Sequence, residues 1–212
     1  MGSKLSARWW HAATAVAAAF ALLAQLVLVL AGAAVLVEDR PPPLGTQLVR
    51  LASYFTIQSN VVVLVAAASL ARRPDRDGGF WRVVRLAGLT GITVTGLVHW
   101  VLLRPLLHLT GWSYAVDKLL HVVVPLLAVV GWLLFGPRPR VTLRVAALSL
   151  VWPLVWLAYT LVMGAVVGWY PYPFLDVREQ GAAAVAAAGL GITVVFVAVS
   201  AVFGLGDRRL PA

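Results

Sequence analysis

Residues 12–37 read AATAVAAAFALLAQLVLVLAGAAVLV: 26 consecutive positions without one charged side chain. A bilayer core of about 30 Å is crossed by about 20 apolar residues in a helix, so this run spans a membrane with some tilt. The Ala31-Gly32-Ala33 triplet imitates a signal-peptide cleavage site. A signal h-region is only about 7–15 residues, however, and the run is therefore read as a retained span.

Working outward, five more runs of the same kind follow, at about 47–71, 80–107, 114–135, 141–168 and 181–205. The connections are short and carry turn formers: Pro41-Pro42-Pro43, Asp77-Gly78-Gly79, Gly136-Pro137, and Pro171 with Pro173. The expected fold is all-α, a single six-helix transmembrane domain over residues 1–212, with no internal repeat or heptad pattern.

Composition agrees. Of 212 residues, 61 % are hydrophobic and 12 % charged, and mean hydropathy is +0.91. Soluble domains run about 45–50 % apolar and about 25 % charged. Soluble enzymes, nucleic-acid modules and disordered chains are excluded. The absence of cysteine removes disulfides, thiolate nucleophiles, thiolate zinc sites and iron–sulfur clusters. A net charge of +9 would suggest nucleic acid in a soluble protein. Here the cations sit between apolar runs, where they set orientation and meet anionic lipid head groups.

With the N-terminus inside, 12 of the 17 Lys and Arg fall in inner segments and 5 in outer ones. This asymmetry favours both termini in the cytoplasm and requires an even number of spans. Trp9, Trp10 and Trp81 read as an inner aromatic belt, and Trp112, Tyr114, Trp169, Tyr170 and Tyr172 as an outer one. His11 and His108, near span ends, read as interfacial.

Polar side chains inside the runs carry the chemistry, because a polar group in hydrocarbon is costly and faces the bundle interior. Span two holds Ser53, Thr56, Gln58, Ser59 and Asn60; span three Thr95 and His99; span four Asp117 and His121; span five Tyr159 and Thr160. At 1.5 Å per residue, Thr56 and Tyr159 lie roughly 14 Å, and His99 and His121 roughly 10–12 Å, from the outer ends of their spans. Depth matches; azimuth is not given by sequence. Each residue also has a structural reading. Thr56 would bond back to the Ala52 carbonyl. Asn60 and Gln58 would join helices. The histidines would be hydrogen-bonded packing residues. Pro125, four residues after His121, leaves the His121 carbonyl without its helical donor and marks a kink or cavity. Gly164-xxx-Gly168 suggests close helix contact, and the small residues of span six (Ala182–Ala184, Ala186–Ala188, Gly189, Gly191) either packing or room for an acyl chain.

A threonine hydroxyl becomes a nucleophile when a neighbouring base takes its proton, and a histidine serves at neutral pH. Asp117, one turn from His121, would orient the imidazole. Asn60, Gln58 or Tyr159 would donate to an oxyanion. No Gly-x-Ser-x-Gly, His-Glu-x-x-His or phosphate-binding glycine loop occurs. Two other classes fit the same residues: a lipid-binding or transport protein without catalysis, and a haem-b protein with His99 and His121 as axial ligands.

Three stretches in order, Tyr54-Phe55-Thr56-Ile57-Gln58-Ser59-Asn60, His121-Val122-Val123-Val124-Pro125, and Tyr170-Pro171-Tyr172-Pro173-Phe174-Leu175-Asp176, resemble the bacterial branch of the androgen-induced-gene family of six-span membrane proteins. Animal members of that family hydrolyse fatty acid esters of hydroxy fatty acids with a threonine and a histidine inside the membrane. The resemblance implies a lipid ester hydrolase acting on a fatty-acyl ester without a cofactor or metal, Thr56 in the nucleophile position and His121 in that of the base. Asp117, His99, Asn60 and Tyr159 are supporting candidates by spacing, not by resemblance. The stretch around Thr56 is more polar than in the animal proteins.

Overall fold

The computed structural model describes residues 4–32, 42–138 and 140–210. The end of the first expected span, at Val37, and Ala33 of the small-residue triplet lie outside the described residues. Among the described residues every regular element is helical, and six helical segments are long and apolar enough to cross a membrane. Their bounds are Lys4–Leu30, Phe55–Arg72, Gly79–Leu106, Gly111–Phe135, Leu143–Val167 and Ala182–Arg209.

Not all are single α-helices. Helix α1 is Lys4–Leu30. The second expected span divides into α2 (Leu44–Ser53) and α3 (Phe55–Arg72), because Tyr54 between them is extended at φ −66°, ψ 128°. Only α3 has the length and hydropathy of a span; α2 carries Gln47 and Arg50. Helix α4 (Gly79–Val98) runs on through a π turn at His99–Leu103 and a 3₁₀ turn at Arg104–Leu106. The fourth span is α5 (Gly111–Lys118), a second π turn (Leu119–Val123) and α6 (Val124–Phe135). The fifth is α7 (Leu143–Ser149) and α8 (Val151–Val167), the sixth α10 (Ala182–Arg209). Between α8 and α10 a strap carries a 3₁₀ turn at Pro173–Leu175 and the short α9 (Val177–Gln180).

Helix α4 is the hub. It packs on α3, α6, α7 and α10, and 61 % of its apolar window is buried, against at most 39 % in any other span. Small residues set the close approaches. A Cβ on Gly88 would stand 2.9 Å from the Val62 side chain, and one on Gly131 2.7 Å from the Trp10 ring. These glycines bring α3 to α4 and α1 to α6, the usual device where lipid gives helices no hydrophobic reason to associate. Trp10 Nε1 also donates to the Leu127 carbonyl at 2.9 Å.

Gly164 works differently from the expected helix contact: a Cβ there would overlap the Tyr170 ring. It seats the strap. Gly168 is the left-handed residue (φ 74°) that ends α8. Most of the small residues of span six, including Ala182, Ala183 and Ala184, face outward; Gly189 is buried.

At the end bearing both described termini, Asp207 accepts from the backbone N–H groups of Arg140 and Val141, the latter at 2.7 Å. Arg85 donates to the Gly136 and Pro137 carbonyls. Asp77 pairs with Arg82 at 2.7 Å and with Arg140. These hydrogen bonds hold its carboxyl below the usual carboxylate range. Two aromatic expectations are corrected here. Trp81 is buried beneath Arg76 rather than belted, and His11 is buried edge-on to Phe135 rather than interfacial. At the far end, Trp112 and Tyr114 are exposed as a belt requires, but Tyr170 and Tyr172 are buried.

Candidate functional site

The break at Tyr54 makes Thr56 a residue of the first turn of α3 instead of the middle of a long helix. In that turn the Ile57 and Gln58 N–H groups both donate to the Tyr54 carbonyl, and the amides of Phe55 and Thr56 are left without helical partners. The expected back-bond from Thr56 to Ala52 does not form. The Ala52 carbonyl takes the Gln58 side-chain amide instead, and Thr56 Oγ1 lies 3.2 Å from His121 Nε2 and 3.4 Å from the Tyr172 hydroxyl.

Both interior histidines sit in π turns, His99 opening one and His121 in the middle of the other. A π turn widens the helix by one residue and re-aims its side chains, and such turns recur at functional sites. The second also absorbs Pro125: the Val124 N–H donates to the Leu119 carbonyl, five residues back. The His121 carbonyl faces Gly96, where a Cβ would come within 3.1 Å of it.

His121 Nδ1 is 3.0 Å from both the Asp117 backbone oxygen and Asp117 Oδ1. Both are acceptors, so the ring proton belongs on Nδ1 and the Nε2 lone pair faces the Thr56 hydroxyl. Asp117 Oδ2 meets Lys118 Nζ at 3.0 Å and His99 Nε2 at 3.4 Å. The His99 contact is too poorly aligned for a hydrogen bond, and both His99 ring nitrogens are buried without a hydrogen-bond partner. The two imidazoles stack, centroids 3.7 Å apart and planes 14° from parallel.

His99, Asp117 and His121 have the composition of a divalent-metal set, with one ligand atom of each within 4.8 Å of the others. The stacking argues against that use. Imidazole lone pairs lie in the ring plane, and near-parallel rings aim them along parallel lines rather than at one ion. Face-to-face rings at this distance also leave no gap for the porphyrin a bis-histidine haem requires.

Asn60 is fully buried and donates to the Thr56 carbonyl at 2.8 Å and the Leu120 carbonyl at 3.3 Å. It ties α3 to the second π turn and does not reach Thr56 Oγ1. Ser59 shares a 2.9 Å hydrogen bond with Thr95. Tyr159 is not brought to the cluster: it is 39 % exposed and bonded to Ser53 Oγ at 2.9 Å. Its depth matched, but its face of α8 turns elsewhere.

Tyr172 is a site residue that the outer-belt reading misses. Assigned to the outer belt, it is buried, with its hydroxyl on Thr56. The pattern Pro171-Tyr172-Pro173, a tyrosine locked between two prolines, was the available signal.

Two cavities meet at this point. One is a partly open cleft of about 760 Å³, its open mouth included, and is almost wholly apolar, walled by α3, α4, α8, α10 and the strap through residues such as Val98, Leu157 and Phe196. The other, about 730 Å³, holds His99, Asp117 and His121 together with Gln25 and Ser113. Thr56, Leu103 and Tyr172 line both. No protein-family model, curated protein or solved structure matches the chain.

Proposed function

We propose that the protein is a membrane-embedded lipid ester hydrolase with Thr56 as nucleophile and His121 as its general base. The observation that carries the reading is the 3.2 Å contact between Thr56 Oγ1 and His121 Nε2, with Asp117 on the opposite ring nitrogen. This is the nucleophile–base–orienter order of hydroxyl-dependent acyl transfer. Thr56 attacks the ester carbonyl and its proton passes to His121. Collapse releases the alcohol, which takes that proton, and water hydrolyses the acyl-threonine by the same route.

The cavities suit the substrate class. A carbonyl at Thr56 stands at their common wall, with one hydrocarbon arm available to each side. This agrees with the resemblance to the androgen-induced-gene family. In the same reading the six spans lie in a bacterial cytoplasmic membrane with both termini inside, by the Lys/Arg asymmetry, and the site opens toward the outer leaflet.

The test is labelling by a fluorophosphonate probe together with turnover of a chromogenic fatty-acyl ester. Wild type should react in both assays, Thr56→Ala in neither, and Thr56→Ser should keep the label. Unchanged labelling and turnover in Thr56→Ala refute the assignment. The apolar cavity also favours a second reading, a non-enzymatic lipid-binding or transport protein. In that case lipid co-purifies equally with wild type and Thr56→Ala, and neither turns over ester.

A further inference from the structure

We propose that Tyr172 is a catalytic residue of this site, its phenolic hydroxyl donating the hydrogen bond that stabilises the oxyanion formed when Thr56 attacks an ester carbonyl. The inference rests on the hydrolase reading and adds to it the donor that reading lacks.

The argument begins with lone pairs. The Thr56 N–H donates to the Tyr172 oxygen at 3.4 Å. It is one of the amides that the first turn of α3 leaves without helical partners. With this backbone donor on its acceptor side, the phenol has its own proton to give, and the group beside it is Thr56 Oγ1 at 3.4 Å. Donors feeding a hydroxyl strengthen what it donates. The hydroxyl also lies on the wall common to both cavities, where the reacting carbonyl of a two-armed ester has to rest.

The ring is held for this purpose. It stacks on Phe174 at 5.3 Å and packs against Tyr54 at 5.7 Å and Trp156 at 5.8 Å, between two prolines. Preorganised donors cost no reorientation as charge develops. Burial pushes the hydroxyl above its ordinary value, so it stays a neutral donor at physiological pH. The competing donors are committed elsewhere: Asn60 to two carbonyls, Gln58 to Ala52, Tyr159 to Ser53.

The step balances without a further reactant. The Thr56 Oγ–carbon bond forms, the hydroxyl proton moves to His121 Nε2, and the carbonyl π pair moves onto oxygen. That oxygen accepts from Tyr172, which keeps its proton. The carbon–oxygen bond to the alcohol then breaks, and His121 returns its proton to the leaving oxygen.

Tyr172→Phe in the full chain, purified in detergent micelles, tests this with a p-nitrophenyl fatty-acyl ester. Removing one oxyanion donor lowers kcat about 10²–10³-fold, with KM within about twofold and fluorophosphonate labelling slowed in step. Wild-type kcat in the variant, or a raised KM at unchanged kcat, overturns the role. If wild type turns over ester through Thr56 and Tyr172→Phe matches it, this inference alone falls. If wild type shows no Thr56-dependent turnover, the hydrolase reading and this one fall together. Should Tyr172→Phe lose its melting transition, 3-fluorotyrosine at position 172 keeps the packing and changes donor acidity. An altered kcat then supports the role and an unaltered one overturns it.

Discussion

The imidazoles of His99 and His121 lie face to face, 3.7 Å between centroids, with the Asp117 carboxylate reaching one nitrogen of each ring. Two positive charges at that spacing would repel by about 4 kcal/mol at an effective dielectric of ~20. In the hydrolase reading the imidazolium formed during acyl transfer is His121, the ring that faces Thr56.

Asp117→Asn should leave the fold in place and lower ester turnover by about 10²–10⁴-fold. The amide can present an N–H to His121 Nδ1 and so favour the wrong tautomer. The readout is kcat at neutral pH beside the melting temperature in the same detergent. Wild-type turnover would show that the backbone carbonyl of Asp117 is orienter enough.

His121→Gln removes the proposed base but keeps a polar side chain in the cavity. Turnover should drop about 10²–10⁴-fold. In wild type the rate should fall on acidification as the imidazole takes a proton and can no longer accept one from Thr56. That acid limb should vanish from the residual activity of His121→Gln. A limb that persists would assign it to another group.

Gly164→Ala puts a methyl where the Tyr170 ring lies. The ring has to move, and overpacking of this kind costs about 1–3 kcal/mol. Because Tyr170 and Tyr172 share one strap, the variant should lose turnover as well as thermal stability. Gly191→Ala, which meets open space, is the control and should change neither.

At the opposite end, the pH dependence has a definite sign. Asp77 is held below its unfolded value by Arg82 and Arg140. Its contribution to stability is present above the ordinary carboxylate range and is lost as pH falls through its lowered folded value. Melting temperature should decline on acidification below about pH 4, and Asp77→Asn should start lower at neutral pH and decline less. The pair is partly exposed, so the effect is small.

The six spans were legible because hydrocarbon demands long uncharged runs, and Thr56, His99 and His121 were legible as groups of similar depth. What sequence withheld was direction. Nothing at Tyr54, neither proline nor glycine, announces the extended residue that puts Thr56 in a first helical turn. The π turns that swing His99 and His121 face to face have no local signature beyond Pro125. Tyr159 shows the cost of reasoning from depth alone: it shares the level of Thr56 but turns to Ser53. Tyr172 shows the converse, since an aromatic residue in a polar connection reads as an interfacial anchor until the strap is seen to fold inward.

Separate chambers on either side of one hydroxyl have a chemical consequence. In the hydrolase reading the first product departs on its own side while its partner stays tethered to Thr56, and the vacated space is open to a small nucleophile. Added methanol or glycerol should then compete with water for the tethered chain, so that part of the ester is exchanged rather than cleaved.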